Sequence, residues 1–253
     1  MSPQKVLSMA LLLVIIAVGC ATTQTAQRSV ALVTGDQIKL DFNYYPAHRP
    51  NSPTVILLPD TRCDRKLFGT FSAMLNEAGF GVISIDFRYK DLIARSGNMS
   101  NQIQTIQRQN LDVLVDQDVK SAIDFLSRQD GVDPKRICII GASLGSRVAL
   151  KSGVNYSPKA LVLISLSGQE VFTAGSTSIQ QLLSEYGDRP ILFMTSAKDW
   201  GNNYRAAEDN KLYMNWAKGK CELKIWPGSE HGVDILKSRE AAQFVLSWLR
   251  QNI

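Results

Sequence analysis

The chain has 253 residues, a length typical of one globular domain with a single large core. Hydrophobic residues make up 45% of the composition and charged residues 20%, which excludes a wholly disordered chain, a collagen and a coiled coil. The formal net charge is +5, and the basic residues are scattered without a Lys/Arg-rich run, so the sequence indicates no nucleic-acid partner.

The beginning of the chain has the pattern of a secretory signal peptide. Lys5 precedes a 13-residue, almost entirely apolar run that ends at Val18, and a small residue follows it. This run is shorter than the roughly 20 residues that a membrane-spanning helix needs. The next residues are small and polar, as expected of a flexible tether. We therefore divide the chain into a signal peptide at 1–19, a tether at 20–28 and a folded domain at 29–253.

The end of this signal, Ala17-Val18-Gly19-Cys20, resembles the lipobox of bacterial lipoproteins, although Ala17 stands where Leu is usual. The resemblance implies cleavage before Cys20 and lipid attachment to its thiol, and two or more acyl chains are enough for stable anchoring. The alternatives are a plain cleaved signal peptide and a buried N-terminal helix. Residue 21 is Ala rather than Asp, which favours the outer over the inner membrane. We expect a lipid-anchored protein of the bacterial cell envelope that faces the periplasm.

Strand-like and helix-like segments alternate through the rest of the chain. Apolar or alternating segments predict strands at 29–34, 37–45, 54–58, 81–87, 136–140, 160–165, 190–196 and 222–226. Amphipathic segments predict helices at 64–78, 116–128, 144–152, 178–186, 204–218 and 239–251. The polar segment 96–110 has the least pattern and predicts a long loop that could include one helical turn. Together these features predict an α/β fold in which helices cover both faces of a mostly parallel sheet, with an N-terminal antiparallel hairpin at one edge.

Three cysteines lie in the predicted domain, and an odd set cannot pair completely. Cys138 lies within an apolar strand and is expected to be a buried thiol. A disulfide between Cys63 and Cys221 is compatible with an oxidising compartment, but their spacing does not establish one.

The segment Gly141-Ala142-Ser143-Leu144-Gly145 matches the pattern G-x-S-x-G. It follows an apolar strand directly and opens a helix, which is the strand–turn–helix setting that a nucleophile elbow requires. The two glycines leave room for strand and helix to cross closely. A glycine-rich turn with a structural serine at the helix N-cap is the alternative. The setting favours Ser143 as a catalytic nucleophile.

A serine hydroxyl needs a base to take its proton, and the chain has two histidines. His48 lies in a polar turn before the third strand and is expected at the surface. His231 lies in a loop between the last strand and the last helix, flanked by glycines that let the loop bend inward. We therefore predict His231 as the general base.

The base in turn needs a carboxylate that fixes its tautomer and stabilises the imidazolium. Asp199 directly follows a strand and is the preferred candidate, at the carboxyl end where active-site residues of parallel sheets collect. Glu170, just after the preceding strand, and Asp234, just beyond His231, are the alternatives.

From about residue 28 to 253 the chain resembles the α/β-hydrolase superfamily, and most of all its dienelactone-hydrolase-like and carboxylesterase-like members with a small lid. The serine elbow, the chain order Ser143, Asp199, His231 and the segment Gly79–Arg88, which looks like the family's fourth strand and following turn, carry the resemblance. Dienelactone hydrolases use a cysteine nucleophile. Ser143 departs from that pattern and favours serine-ester chemistry.

The resemblance also implies an oxyanion hole with two backbone N–H donors. One is the amide of Leu144, which follows the nucleophile. The other comes from the loop after strand 54–58, where most relatives have His-Gly and this chain has Pro59-Asp60. Thr61 is the preferred second donor and Arg62 the alternative.

These residues imply a serine hydrolase that cleaves esters or thioesters of short or medium acyl chain through an acyl-enzyme. Only 22 residues, 167–188, separate two of the strands, which leaves no room for a large lid and predicts an open pocket with Trp200 and the segment 89–110 near its mouth. A small-molecule ester is the expected partner, and no metal-ligand cluster, nucleotide-binding loop or cofactor is indicated. The alternatives are a catalytically silent fold that serves as an envelope binding or assembly module, and a peptidase or acyltransferase with the same triad.

Overall fold

The computed structural model describes residues 27–107, 110–168, 170–171 and 177–253. The predicted signal peptide, Cys20 and nearly all of the predicted tether lie outside the described residues.

Eight strands form one sheet in the order β1-β2-β4-β3-β5-β6-β7-β8. They are β1 Arg28–Val33, β2 Lys39–Tyr45, β3 Ser52–Leu58, β4 Gly81–Ile85, β5 Val132–Ala142, β6 Ala160–Ile164, β7 Ile191–Ser196 and β8 Cys221–Trp226. β2 pairs antiparallel with β1 and β4, and all other pairs are parallel. The predicted fold class and its N-terminal hairpin are confirmed.

Helices cover both faces of this sheet. They are α1 Gly69–Glu77, α2 Lys90–Arg95, α3 Met99–Gln107, α4 Lys120–Leu126, α5 Leu144–Tyr156, α6 Ile179–Tyr186, α7 Ala206–Trp216 and α8 Arg239–Asn252. A π-helical turn, Leu114–Val119, runs into α4, and 3₁₀ turns lie at Arg65–Phe68 and Gly232–Lys237. α1 and α8 pack on one face, and α4 to α7 pack on the other. Two short strands, Glu170–Val171 and Thr177–Ser178, pair before α6.

The core lies on both sides of the central strands because successive side chains of a strand point to opposite faces. In β5, Ile137 and Ile139 belong to the core beneath α4 to α7, whereas Cys138 and Ile140 belong to the core beneath α1 and α8. A strand buried on both faces must be apolar at every position, which explains its unbroken apolar run. The carboxyl end of β5 then leads directly to Ser143.

One predicted element is wrong. The segment 96–110 is predicted as a loop with at most one helical turn, but the nine-residue helix α3 spans Met99–Gln107. Its start is capped by Asn98, whose Oδ1 accepts a hydrogen bond from the amide of Asn101 at 3.1 Å. The polar composition of this segment concealed a short surface helix with a capped N-terminus.

Cys63, Cys138 and Cys221 are all free thiols, so no disulfide joins Cys63 to Cys221. Cys138 is fully buried in β5, as predicted. Burial raises the pKa of the Cys63 and Cys138 thiols well above their usual range. These two thiols are therefore protonated and unreactive at neutral pH.

Candidate active site

Ser143 lies at the tip of the sharp turn between β5 and α5, with φ 51° and ψ −110°. This left-handed conformation is costly for a serine and persists only where the surrounding structure enforces it. A Cβ atom at Gly141 would lie 2.0 Å from the carbonyl oxygen of Gly145, and one at Gly145 would lie 2.2 Å from that of Leu58. Both positions therefore require glycine, and the turn raises the serine hydroxyl above the end of the sheet.

Two short hydrogen bonds join Ser143, His231 and Asp199 in series. His231 Nε2 lies 2.7 Å from Ser143 Oγ, and His231 Nδ1 lies 2.6 Å from Asp199 Oδ1. His231 stands between β8 and the following 3₁₀ turn, and Asp199 lies just after β7. The structure thus brings together the three side chains that the sequence analysis selected, in a nucleophile–base–orienter arrangement.

Asp199 is almost completely buried, with 1% of its surface exposed. Its Oδ1 also accepts a hydrogen bond from the Gly201 amide at 2.8 Å, and its Oδ2 accepts from the hydroxyls of Ser165 and Thr195 at 2.6 and 3.0 Å. Burial alone would raise the pKa of Asp199, but the hydrogen bonds, above all that from His231, outweigh burial and lower its pKa. The site therefore holds a buried, fully hydrogen-bonded carboxylate.

Ser165 was not selected from the sequence. Its hydroxyl donates to Asp199 Oδ2 and accepts a hydrogen bond from the amide of Gly232 at 2.8 Å. Ser165 directly follows β6, which lies in the sheet between β5 and β7. The available signal was its position at the carboxyl end of an apolar strand, the same signal that selected Asp199.

The rival candidates for the acid and the base lie elsewhere. Asp234 forms ion pairs with Lys237 and Arg62 at 2.8 and 3.4 Å. Glu170 lies in the short strand Glu170–Val171. Since Asp199 already accepts the bond at His231 Nδ1, that nitrogen has no place for a second carboxylate.

His48 contacts the end of α1. Its Nε2 is 3.1 Å from the carbonyl oxygen of Asn76, the penultimate residue of that helix. This contact ties the turn before β3 to the end of α1. His48 therefore has a structural partner of its own.

The loop after β3 lies against the elbow, because Gly145 of α5 approaches the carbonyl oxygens of Leu58 and Pro59. Leu144 is the first residue of α5, so its amide has no acceptor within the helix. The Arg62 amide already donates to Asp60 Oδ1 at 3.0 Å. The Thr61 amide donates no hydrogen bond within the described part of the chain, which leaves Thr61 rather than Arg62 available as the second donor.

Asp60 replaces the glycine of the usual loop and is 3% exposed. Its carboxylate binds the Arg62 guanidinium, with Oδ2 2.6 Å from Nη2 and Oδ1 3.0 Å from Nε. Arg62 also reaches Asp234 after His231. These charge-assisted bonds connect the loop after β3 to the turn that follows the histidine.

A cavity of about 780 Å³ opens beside His231. This volume lies within the range of small-molecule sites, roughly 300–1,000 Å³. The wall contains Thr61 and His231 as well as apolar and charged side chains, among them Trp200, Pro227, Ile235 and Glu230. The indole of Trp200 also lies over the His231 imidazole, with ring centroids 3.8 Å apart.

Within the described residues, no three His, Cys, Asp or Glu side chains are grouped so that they could hold a metal ion. No helix in the described ranges is both long enough and apolar enough to cross a membrane.

An eight-stranded, mostly parallel sheet with a serine elbow after β5 and a histidine after β8 defines an α/β-hydrolase fold. The chain belongs to the dienelactone hydrolase family, whose pattern matches residues 42–250. The predicted resemblance is confirmed, and the prediction of a hydrolase holds at the level of the family.

Two relatives show the extent of the similarity in sequence. An uncharacterized protein of Mycobacterium tuberculosis is 32% identical over 139 residues, which are 54% of this chain and 45% of that protein. Carboxylesterase SOBER1 of Arabidopsis thaliana is 27% identical over 145 residues, 57% of each chain. The chain thus spans about half the length of the curated relatives that it matches.

Solved structures are similar over nearly the whole chain. A dienelactone hydrolase from Anabaena variabilis has a TM-score of 0.68 and 17% identity, and the match covers 91% of this chain and 99% of that one. The Pyrococcus furiosus esterase Pf2001 has a TM-score of 0.61 and 15% identity, with 90% of each chain covered. At such identities the likeness concerns the fold.

Proposed function

We propose that this protein is a serine esterase that hydrolyses carboxylic esters or thioesters of short or medium acyl chain. The hydrogen-bonded series Ser143–His231–Asp199 carries this proposal. Each side chain stands at hydrogen-bond distance from the next, as nucleophilic catalysis by a serine requires. A silent binding module would gain nothing from a strained serine that points at a histidine.

In the tautomer with its proton on Nδ1, His231 donates to Asp199 and accepts the Ser143 hydroxyl proton at Nε2. The freed oxygen attacks the ester carbonyl carbon, and the amides of Leu144 and Thr61 stabilise the oxyanion. The tetrahedral intermediate collapses, the bond to the leaving alcohol breaks, and the alcohol takes the proton from Nε2. Water then repeats the sequence on the acyl-enzyme, which releases the acid and restores Ser143.

The limits on the acyl chain come from the shape of the site. The described part of the segment between β6 and β7 contains only the paired short strands and α6. The described residues of this segment supply no large lid over the site, so we expect a substrate to reach the cavity beside His231 directly from solvent. Such an open site suits short or medium acyl chains better than long triglycerides.

The decisive experiment labels the purified full-length chain with a fluorophosphonate probe and measures turnover of p-nitrophenyl esters from acetate to laurate. We expect labelling and turnover in the wild type and loss of both in Ser143→Ala. His48→Gln is the matched histidine control for His231→Gln, because the ring of His48 bonds to the end of α1. Equal turnover by Ser143→Ala would count against Ser143 as the nucleophile, and the absence of both labelling and turnover in the wild type would support the silent binding module instead.

We also propose that the protein is cleaved before Cys20, lipidated there and held in the bacterial cell envelope facing the periplasm, in the outer membrane. The apolar run, the lipobox-like segment and the polar residues after it support this proposal. Radiolabelled palmitate should be incorporated into the wild type and not into Cys20→Ala. A Cys20→Ala protein that still fractionates with outer membranes would count against the anchor.

A further inference from the structure

The imidazole of His231 has an aromatic side chain over one of its faces. The ring centroids of Trp200 and His231 are 3.8 Å apart, and the planes are inclined by 30°. Both ring nitrogens are already engaged at the edge of the imidazole, by Ser143 and Asp199. Trp200 therefore contacts the π face of the imidazole, which these two hydrogen bonds at the ring edge leave open.

The turn that holds the carboxylate also holds this indole. Trp200 directly follows Asp199, and the next amide, that of Gly201, donates to Asp199 Oδ1 at 2.8 Å. A Cβ atom at Gly201 would lie 2.9 Å from Ser167 Oγ and 3.1 Å from Asp199 Oδ1, so a side chain at this position would crowd the carboxylate and its neighbour. The Trp200 carbonyl accepts a hydrogen bond from the Tyr204 amide at 3.2 Å. Asp199 and Trp200 are thus presented to His231 by one fixed turn.

The contact has a chemical consequence if His231 takes the Ser143 proton. His231 is then an imidazolium during each tetrahedral step and neutral in the resting enzyme. The face of an indole ring attracts a cation through its quadrupole, and the attraction increases where water is excluded. The His231 side chain is 9% exposed, so little water competes with the indole for contact with the imidazolium. An interaction that strengthens only in the charged state lowers the barrier rather than the substrate KM.

We propose that Trp200 is a positioning residue that holds the His231 imidazole in plane for Ser143 and Asp199 and stabilises its protonated form. This inference rests on the proposed function, because it assigns Trp200 a role in the same proton transfer. It adds a fourth side chain to the series of three. Trp200 therefore has two contacts: it lines the cavity, and it also lies against the base.

Several charged groups surround His231 and bear on its protonation. They are Asp199, Asp60, Glu230, Asp234, Glu240, Arg62 and Lys237. Asp199 acts directly at Nδ1, and Asp60 lies 3.3 Å from the position of a Cβ atom at Gly232. Arg62 and Lys237 are paired with the aspartates. All seven remain in a Trp200 variant, so a change in the protonation of His231 in that variant measures the loss of the indole.

The first test follows kcat/KM against pH for p-nitrophenyl acetate in the wild type, Trp200→Phe, Trp200→Leu and Trp200→Met. Loss of the indole should move the midpoint of the acid limb to lower pH by about half a unit, about threefold in the protonation equilibrium. Trp200→Phe keeps an aromatic face, so the midpoint of its acid limb should stay close to that of the wild type. Trp216→Leu is the matched control, because Trp216 is also half-buried but stacks near Tyr213, 5.7 Å between centroids.

The second test uses NMR and needs no activity. The chain has two histidines, and the imidazole proton signals that remain in His48→Gln belong to His231. In Ser143→Ala, the His231 titration should have a lower midpoint with Trp200→Leu or Trp200→Met than with Trp200 intact. A midpoint that does not move in either non-aromatic variant, with native circular dichroism, overturns the inference even if kcat falls.

The two proposals can fail separately. If Ser143 takes up the fluorophosphonate probe and the His231 midpoint is the same with and without Trp200, the esterase stands and the role of Trp200 is wrong. If the midpoint moves but no probe is taken up, the contact between the rings is supported and the esterase is wrong.

Discussion

Ser165 and Asp199 are joined by a hydrogen bond of 2.6 Å from the serine hydroxyl to Oδ2 of the carboxylate. The same hydroxyl accepts the amide of Gly232 at 2.8 Å. One side chain therefore connects the acid to the backbone that follows His231, and it does so from a left-handed conformation with φ 53°. A serine held in this way sets the distance between the carboxylate and the histidine loop.

Replacing Ser165 with alanine should lower kcat/KM about tenfold, because a buried hydrogen bond to a charged group contributes about 1.5–3 kcal/mol. The Gly232 amide would lose its acceptor in the same variant. Ser152→Ala is the matched control: this serine is also fully buried, but its hydroxyl has no hydrogen-bond partner within the described residues. Ester turnover and urea unfolding of both variants check the prediction. Equal activity in the two would show that Ser165 does not orient the site.

The elbow makes a sharp prediction about glycine. In Gly145→Ala the new methyl group would lie 2.2 Å from the Leu58 carbonyl oxygen and 2.5 Å from that of Pro59, and neither backbone atom can move freely. We expect a loss of about 3 kcal/mol in the free energy of unfolding, at the upper end of overpacking effects. Nucleophile reactivity should fall with it, because the turn at Ser143 would open.

Gly69→Ala is the control for that measurement. Gly69 begins α1 with helical φ −49° and has no atom within 4 Å of an added Cβ. The same substitution should stabilise the protein by about 0.4–1 kcal/mol there, because it removes freedom from the unfolded chain. Urea unfolding measures the free energy of unfolding of Gly145→Ala and Gly69→Ala. Similar values for the two variants would contradict the close contact between Gly145 and the loop after β3.

Asp199→Asn tests the choice of acid. The amide cannot stabilise the imidazolium and favours the wrong tautomer, so kcat should fall about 10³- to 10⁴-fold while the fold persists. Asp234→Asn should retain most of the activity, because Asp234 binds Lys237 and Arg62 rather than the histidine. Steady-state kinetics of both variants decide between the two aspartates. A larger loss in Asp234→Asn would reverse the assignment.

The lowered pKa of Asp199 also has a consequence for stability. The folded protein holds this carboxylate ionised to lower pH than the unfolded chain does, since hydrogen bonds outweigh burial. The ionised carboxylate therefore adds to the free energy of unfolding above the pKa of about 4 that Asp199 has in the unfolded chain. This stabilisation is lost as the pH falls through the lower pKa of Asp199 in the folded protein.

The parts of the site that follow from the sequence share one physical reason. Ser143, Asp199 and His231 each follow a strand, and the carboxyl ends of parallel strands meet at one edge of the sheet. Ser165 also follows such a strand, but a serine after a strand is too common to select without the strand order that places β6 between β5 and β7. The contact of Trp200 depends on the turn at Gly201, which strand and helix periodicity does not describe.

The surface helix α3 was missed for a different reason. Its polar composition carries little of the apolar periodicity by which helices are recognised, and its start depends on a single cap at Asn98. The loop after β3 could be predicted only in part. That Thr61 stands near the elbow follows from the family pattern, whereas the binding of Arg62 by Asp60 required the positions of side chains.

The pair Asp60 and Arg62 provides the last prediction. Asp60 is buried with its carboxylate bound by the guanidinium and the amide of Arg62. Arg62→Met removes the guanidinium and leaves the buried Asp60 carboxylate with the backbone amide of residue 62 alone. Because the Arg62 side chain is 37% exposed, water replaces part of the lost interaction, and the variant should lose about 1–3 kcal/mol of stability. The Asp60→Asn/Arg62→Met double variant carries no such charge and should recover most of that loss. If the ion pair also holds the Thr61 amide in place, the double variant will regain stability, measured by urea unfolding, but its kcat will stay below that of the wild type.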